Sequence, residues 1–112
     1  MADRKANASW TGSLTEGNGT VALGSGSFEG SFSFGTRFGE DPGTNPEELL
    51  GASLAGCYAM ALNATLEKGG TPASSVKSEA VVHLGKDDSG FVIKGIDLSV
   101  EAGKVTAFRG PS

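Results

Sequence analysis

The sequence predicts an α+β fold in which antiparallel sheets surround one long buried helix. Three observations lead to this fold class. Short alternating segments punctuated by glycine fill the region before residue 43, an uncharged run follows a helix-start signal near residue 45, and two further alternating segments follow residue 75. A chain of 112 residues has room for one domain, so residues 1–112 are expected to form a single unit.

The first predicted element is an antiparallel sheet. Residues 8–15 and 19–24 are predicted strands around the turn 16–19, because Asn18-Gly19 is a typical hairpin dipeptide. Residues 27–35 alternate, with Phe28, Phe32 and Phe34 on one face, which predicts a third, half-buried strand. The letters of residues 17–22 also resemble a dinucleotide-binding loop, but a strand pattern follows them, and a hairpin is therefore favoured.

The second predicted element is a helix. Asn45 is a good N-cap, Pro46 suits the first helical position, and the acids Glu47 and Glu48 lie at the positive end of the helix dipole. The helix is expected to end near Lys68, before two glycines. Its length would be about 34 Å at a rise of 1.5 Å per residue.

The uncharged run Leu49–Leu66 has two possible interpretations, a membrane span and a buried helix. It contains no Ile, Val or Phe and is preceded by acids, which is unlike a strongly apolar span of about 20 residues. The favoured interpretation is a helix buried on nearly all sides within a soluble assembly. Because a chain of this size cannot surround such a helix alone, a homodimer is expected.

The last predicted elements are two strands, Val76–Leu84 and Phe91–Val100, joined by the five residues 86–90. The second strand alternates clearly, with its apolar side chains at Ile96, Leu98 and Val100. The tail, residues 101–112, carries no convincing element.

Composition excludes several function classes. With 9 Lys and Arg against 13 Asp and Glu, the chain has a net charge of −4, which disfavours binding to nucleic acid. One Cys and one His leave no intramolecular disulfide and no ordinary metal cluster, so no metal site is expected. The first residues lack the apolar core of a signal peptide, and a cytoplasmic location is expected.

Cys57 is the candidate nucleophile, and its alternative role is that of a small buried apolar residue. A thiol in the middle of a helix needs a neighbouring cation to become a reactive thiolate. Arg37 and His83 are the candidates for that cation, and for His83 a structural place on the strand surface or in the core is favoured, because no orienting residue lies at a recognisable spacing.

Several segments together resemble the OsmC/Ohr family of thiol-dependent hydroperoxide reductases, with the OsmC branch the more similar. The resemblance covers residues 8 to about 102 and is carried by Trp10-Thr11-Gly12, Gly17-Asn18-Gly19-Thr20-Val21, Thr36-Arg37-Phe38, Asn45-Pro46-Glu47-Glu48-Leu49 and Cys57-Tyr58-Ala59-Met60-Ala61-Leu62. It implies an OsmC-like fold assembled as an intertwined homodimer.

The resemblance also implies a catalytic set. Cys57 matches the family's peroxidatic cysteine, whose thiolate attacks the peroxide and becomes a sulfenic acid. Arg37 matches the arginine that stabilises the thiolate and holds the peroxide, and Glu47 matches the glutamate that orients this arginine. An apolar pocket around Cys57 would suit organic hydroperoxides.

The implied activity is a thiol peroxidase that acts on organic and inorganic hydroperoxides in oxidative and osmotic stress defence. The family needs no cofactor, and its reductant is a small thiol or a lipoyl-type dithiol. No nucleic acid or membrane partner is expected. Family members continue beyond this chain's last residue with a helix that carries a second, resolving cysteine. Two alternatives therefore stay open: a non-catalytic dimer that binds an apolar small molecule, and a one-Cys redox sensor.

Overall fold

The computed structural model describes residues 2–104, and the predicted tail beyond residue 104 lies outside them. Its contacts cluster in two compact units, residues 1–49 and 50–112, and the single domain stays a prediction. The elements in chain order are β1 (Ala6–Thr11), β2 (Asn18–Leu23), β3 (Glu29–Phe32), α1 (Phe34–Phe38), α2 (Pro46–Lys68), β4 (Val76–Asp87) and β5 (Gly90–Ala102). The first unit holds the sheet β1-β2-β3 and the second holds the sheet β4-β5. Both sheets are antiparallel, as predicted.

The predicted Asn-Gly turn between β1 and β2 is wrong. Thr11 pairs with Asn18, so the turn spans residues 12–17 and Asn18-Gly19 belongs to β2. Gly12 adopts a φ of 102°, and the Gly17 amide donates to the Ser13 carbonyl at 2.8 Å. Gly19 serves a different purpose, because an added Cβ would lie 2.7 Å from ring atoms of the two neighbouring aromatic residues, Trp10 and Phe32.

The predicted strand over residues 27–35 is too long, because its last part folds as the helix α1. Ser33 is the N-cap: its hydroxyl accepts from the Thr36 amide, and the Thr36 hydroxyl accepts from the Ser33 amide. This reciprocal capping box satisfies the amides at the helix start. The local hydrogen bonds therefore prevail over the apolar alternation that suggested a strand.

Helix α2 begins and ends where the sequence predicts. Its 23 residues run from Pro46 to Lys68, and the Glu48 amide donates to the Asn45 side-chain oxygen at 2.7 Å. At the other end Gly70 has a φ of 83°, and the Thr71 amide donates to the Leu66 carbonyl. This is the glycine-dependent helix end that the two glycines indicate.

Helix α2 is largely exposed in the single chain, and its predicted burial within an assembly stays a prediction. Only 6% of its most apolar 18-residue window is buried, and among the described residues it is the one helix long and apolar enough to cross a membrane by length and composition. Core helices of soluble proteins meet the same criterion. No apolar side chain is buried within residues 2–104. Four large side chains of α2 are more than a third exposed: Leu50, Leu54, Tyr58 and Met60.

Strands β4 and β5 form a hairpin longer than predicted. Strand β4 extends to Asp87 and β5 runs from Gly90 to Ala102, so the connection is the two-residue turn 88–89 and not the expected five residues. The predicted tail is wrong for its first two residues, 101 and 102, which belong to β5. Gly90 has a φ of 121°, and the Ser89 amide donates to the Asp87 carboxylate. The register confirms the predicted apolar face, on which Ile96, Leu98 and Val100 pair with Val82, Ala80 and Ser78.

Candidate functional site

An ion pair between Arg37 and Glu47 is the centre of the candidate site. The Arg37 Nη2 donates to Glu47 Oε1 at 2.5 Å, and Nε lies 3.1 Å from Oε1 and 3.4 Å from Oε2. The arginine side chain is 32% exposed and the glutamate 11%. A guanidinium held at two of its nitrogens by one carboxylate has a defined orientation, which a lysine could not copy.

Each partner of the ion pair is positioned by a helix end. Arg37 lies in the last turn of α1, whose start is fixed by the Ser33 capping box. Glu47 lies in the first turn of α2, where the helix dipole favours a negative charge. The residues are ten apart in sequence, and the segment between the two helices brings their side chains into contact.

Aromatic rings flank the arginine. The rings of Phe34 and Phe38 lie 4.8 Å apart between centroids, and the guanidinium carbon of Arg37 lies 5.0 Å from the Phe38 ring centroid. The latter geometry is that of a cation–π contact. The guanidinium of Arg37 therefore has an apolar surface beside it.

Cys57 lies in the middle of α2 and is exposed, which corrects the alternative that it is a small buried apolar residue of the chain's own core. It follows Glu47 by ten residues of one continuous helix. Ten residues correspond to a rise of about 15 Å and a rotation of about 80° from the starting direction. The structure therefore brings Arg37 to Glu47 and leaves the thiol on the helix surface.

His83, the other candidate cation, lies beside the carboxylate of Asp97. Its Nε2 lies 2.8 Å from the Asp97 carboxylate, and both side chains are at least half exposed. On the same hairpin, Val82 and Ala80 lie 3.3 and 3.6 Å from the place that a Cβ on Gly51 of α2 would occupy. Since side chains alternate across a strand, His83 points away from the helix that carries Cys57.

Sequence reasoning missed the helix α1 and the hydrogen bond by which Asn45 reaches it. The Asn45 Nδ2 donates to the Thr36 carbonyl at 3.3 Å. The signal for α1 was the pair Ser33 and Thr36, three residues apart, which matches a capping box. Within residues 2–104 no three His, Cys, Asp or Glu side chains lie close enough together to hold a metal ion.

Comparison with known proteins gives three consistent results. The model of the OsmC-like protein family matches residues 39–107. The chain is 42% identical over 99 residues to the peroxiredoxin OsmC of Escherichia coli K12. The alignment covers 88% of this chain and 69% of that protein. The peroxiredoxin OsmC of Shigella flexneri matches with the same identity and coverage.

A solved structure supports the fold. The organic hydroperoxide resistance protein of Elizabethkingia anophelis superposes with a TM-score of 0.64, at 24% identity, over 94% of this chain and 72% of that one. The α+β architecture, with antiparallel sheets and a long helix, is therefore that of the predicted fold class. On the family match and the identity to the two peroxiredoxins, the chain belongs to the OsmC-like protein family.

Proposed function

We propose that this protein is a thiol-dependent peroxidase that reduces organic and inorganic hydroperoxides through Cys57. The observation that carries the proposal is the oriented Arg37–Glu47 pair, in a chain 42% identical to proteins named peroxiredoxin. Cys57, Arg37 and Glu47 are the proposed catalytic set. No metal or organic cofactor takes part in the proposed reaction.

The reaction assigned to Cys57 is a two-electron reduction. The thiolate attacks one peroxide oxygen, an S–O bond forms as the O–O bond breaks, and the other oxygen takes a proton and leaves as the alcohol or water. Cys57 is then a sulfenic acid. An external thiol attacks this sulfur and expels water, and a second thiol releases Cys57 by disulfide exchange. Two molecules of a small thiol, or one lipoyl-type dithiol, supply the two electrons and leave as a disulfide.

Arg37 is assigned two tasks, which are to favour the thiolate and to hold the peroxide. Its Nε and Nη2 contact Glu47, and Nη1 has no partner within residues 2–104. That nitrogen is therefore available as a charged donor to the sulfur or to a peroxide oxygen. The rings of Phe34 and Phe38 beside the guanidinium suit the apolar part of an organic hydroperoxide.

The proposed site is shared between two copies of the chain. One helix separates Glu47 from Cys57 by about 15 Å of rise, so the two cannot share one hydrogen-bonded site on the same helix. In an antiparallel crossing of two α2 helices about a two-fold axis, the midpoint of the pair is residue 52, and Glu47 of one chain approaches Cys57 of the other. The exposed apolar side chains of α2 support a second copy as their cover.

A one-Cys redox sensor is the second candidate, favoured by the single cysteine among these 112 residues. A sensor would undergo the same oxidation of Cys57 and stop at the sulfenic acid or at a mixed disulfide. The two functions differ in turnover and not in the first chemical step.

The test is consumption of cumene hydroperoxide by the purified chain with dithiothreitol or dihydrolipoamide as the reductant. A peroxidase consumes many equivalents of peroxide per chain, and a sensor consumes one. Cys57→Ser is expected to abolish consumption and Arg37→Ala to slow it strongly, while Glu48→Gln serves as the neighbouring carboxylate control. Multiple turnover by Cys57→Ser would contradict the proposal.

A further inference from the structure

Asn45 connects the two helices that carry the ion pair. Its Oδ1 accepts from the Glu48 amide at 2.7 Å, which caps the start of α2. Its Nδ2 donates to the Thr36 carbonyl at 3.3 Å, at the end of α1. The residue therefore joins the end of the helix with Arg37 to the start of the helix with Glu47.

Only an amide side chain satisfies both contacts. The first needs an acceptor and the second needs a donor, and Asn carries one of each on a short side chain. Asp or Ser would cap α2 about as well as Asn. Asp presents a second acceptor to the Thr36 carbonyl, and Ser is too short to place a donor there while it caps the helix.

The Thr36 carbonyl gains its partner from this contact. Carbonyls at a helix end have no intrahelical donor, and Thr36 is 8% exposed, so water has little access to it. Thr36 directly precedes Arg37 in the chain. The Thr36 amide and hydroxyl are already hydrogen-bonded to Ser33 in the helix cap. A displacement of this peptide unit would therefore move the base of the arginine side chain.

We infer that Asn45 is a positioning residue that holds Arg37 in register with Glu47, beyond its role as a helix cap. The inference deepens the proposed function and rests on it, because the orientation of Arg37 matters to catalysis only if Arg37 serves Cys57. Asn45 itself touches neither Cys57 nor the peroxide in the proposed reaction.

The test compares Asn45→Asp with Thr44→Val. Asn45→Asp keeps the cap and loses the donor to α1. Thr44→Val removes an adjacent side-chain hydrogen bond, from the Thr44 hydroxyl to Glu48 at 2.8 Å, and leaves the Asn45 contacts in place. The first readout is the rate at which the Arg37 Nε–H exchanges with solvent, measured by NMR. This rate reports the hydrogen bond to Glu47 independently of peroxidase activity. The second is kcat/KM with cumene hydroperoxide.

For Asn45→Asp we expect a lower thermal midpoint, because the Thr36 carbonyl loses its donor, with faster exchange of the Arg37 Nε–H and a fall in kcat/KM of about three- to tenfold, the effect of one hydrogen bond. Thr44→Val is expected to match the wild type in exchange and in rate. Asn45→Ser, which also keeps the cap, provides the same comparison if the aspartate does not fold.

Wild-type exchange of the Arg37 Nε–H in both Asn45→Asp and Asn45→Ser would overturn the inference. Failure of the proposed function has a different signature. If Arg37→Ala has the wild-type rate while Asn45→Asp still loosens the ion pair, Asn45 positions Arg37 but Arg37 does not serve Cys57.

Discussion

Glu47→Gln tests the ion pair with the smallest change in shape. The wild-type carboxylate accepts from two guanidinium nitrogens, with the shortest contact 2.5 Å long. The amide has no negative charge, so even an amide oxygen in the place of Oε1 is a weaker acceptor for the two nitrogens. An NH₂ group in the place of Oε2 faces the Arg37 Nε, which lies 3.4 Å from that oxygen in the wild type. The arginine should then sample orientations that do not serve Cys57.

The expected magnitude follows from the burial of the two partners. Hydrogen bonds to charged groups contribute about 1.5–3 kcal/mol, and the 32% exposure of the Arg37 side chain favours the lower value because water competes for the guanidinium. A loss of about 1.5 kcal/mol corresponds to about a tenfold fall in rate. We therefore expect kcat/KM for cumene hydroperoxide to fall about tenfold in Glu47→Gln.

Glu48→Gln is the matched control. It removes the same charge from the same helix turn, so it changes the helix dipole interaction equally, and a glutamine oxygen can still accept from the Thr44 hydroxyl that contacts Glu48. Its rate should stay within about twofold of the wild type, since a surface charge contributes little.

The alkylation rate of Cys57 by iodoacetamide at a fixed pH provides a second assay, independent of the peroxide, and it should fall in Glu47→Gln as well. A wild-type rate in Glu47→Gln would refute the reasoning, and so would equal losses in Glu47→Gln and Glu48→Gln. In an Arg37→Lys background the effect of Glu47→Gln should shrink, because the two-point contact is already lost.

Three further predictions concern the assembly, the turnover and the packing of α2. When inactive Cys57→Ser and Glu47→Ala chains are mixed under conditions that exchange subunits, activity should return through one intact site per heterodimer. An inactive mixture, with exchange confirmed by native mass spectrometry, would exclude the shared site. One equivalent of peroxide should leave a sulfenic acid on Cys57 that dimedone traps, and steady-state turnover should depend steeply on added dithiol; rapid cycling on a monothiol without a mixed disulfide would contradict this scheme. Gly51→Leu should destabilise the fold by about 1–3 kcal/mol in urea unfolding, because an added Cβ already lies 3.3 Å from Val82. Gly56→Ala, with no described atom within 4 Å of the added Cβ, should change stability by less than about 1 kcal/mol; equal effects at the two glycines would contradict the observed packing.

The sequence correctly predicted the elements whose boundaries depend on residues next to them in the chain. The N-cap at Asn45, the proline after it and the glycines after Lys68 bound α2 correctly, because the unpaired amides and carbonyls of a helix end are satisfied by residues next to them. The apolar face of β5 was also readable, since alternation along a strand depends on that strand alone. Family and fold class were confirmed by comparison.

Local signals failed where two of them competed. The alternating phenylalanines favoured a strand through residue 35, whereas the Ser33–Thr36 capping box ended β3 at Phe32 and began α1. The Asn18-Gly19 dipeptide favoured a tight turn, but Gly19 is required in β2, where the rings of Trp10 and Phe32 leave no space for a side chain.

The geometry of the site was decided by tertiary structure. The sequence spacing of Arg37 and Glu47 carries no information about their contact, which requires the end of α1 to lie beside the start of α2, with Asn45 between them. The exposure of Cys57 was likewise not readable, because an apolar run does not specify which neighbours cover it. Burial is a property of surfaces brought together from different parts of a chain or from two chains, and α2 in the single chain remains largely exposed.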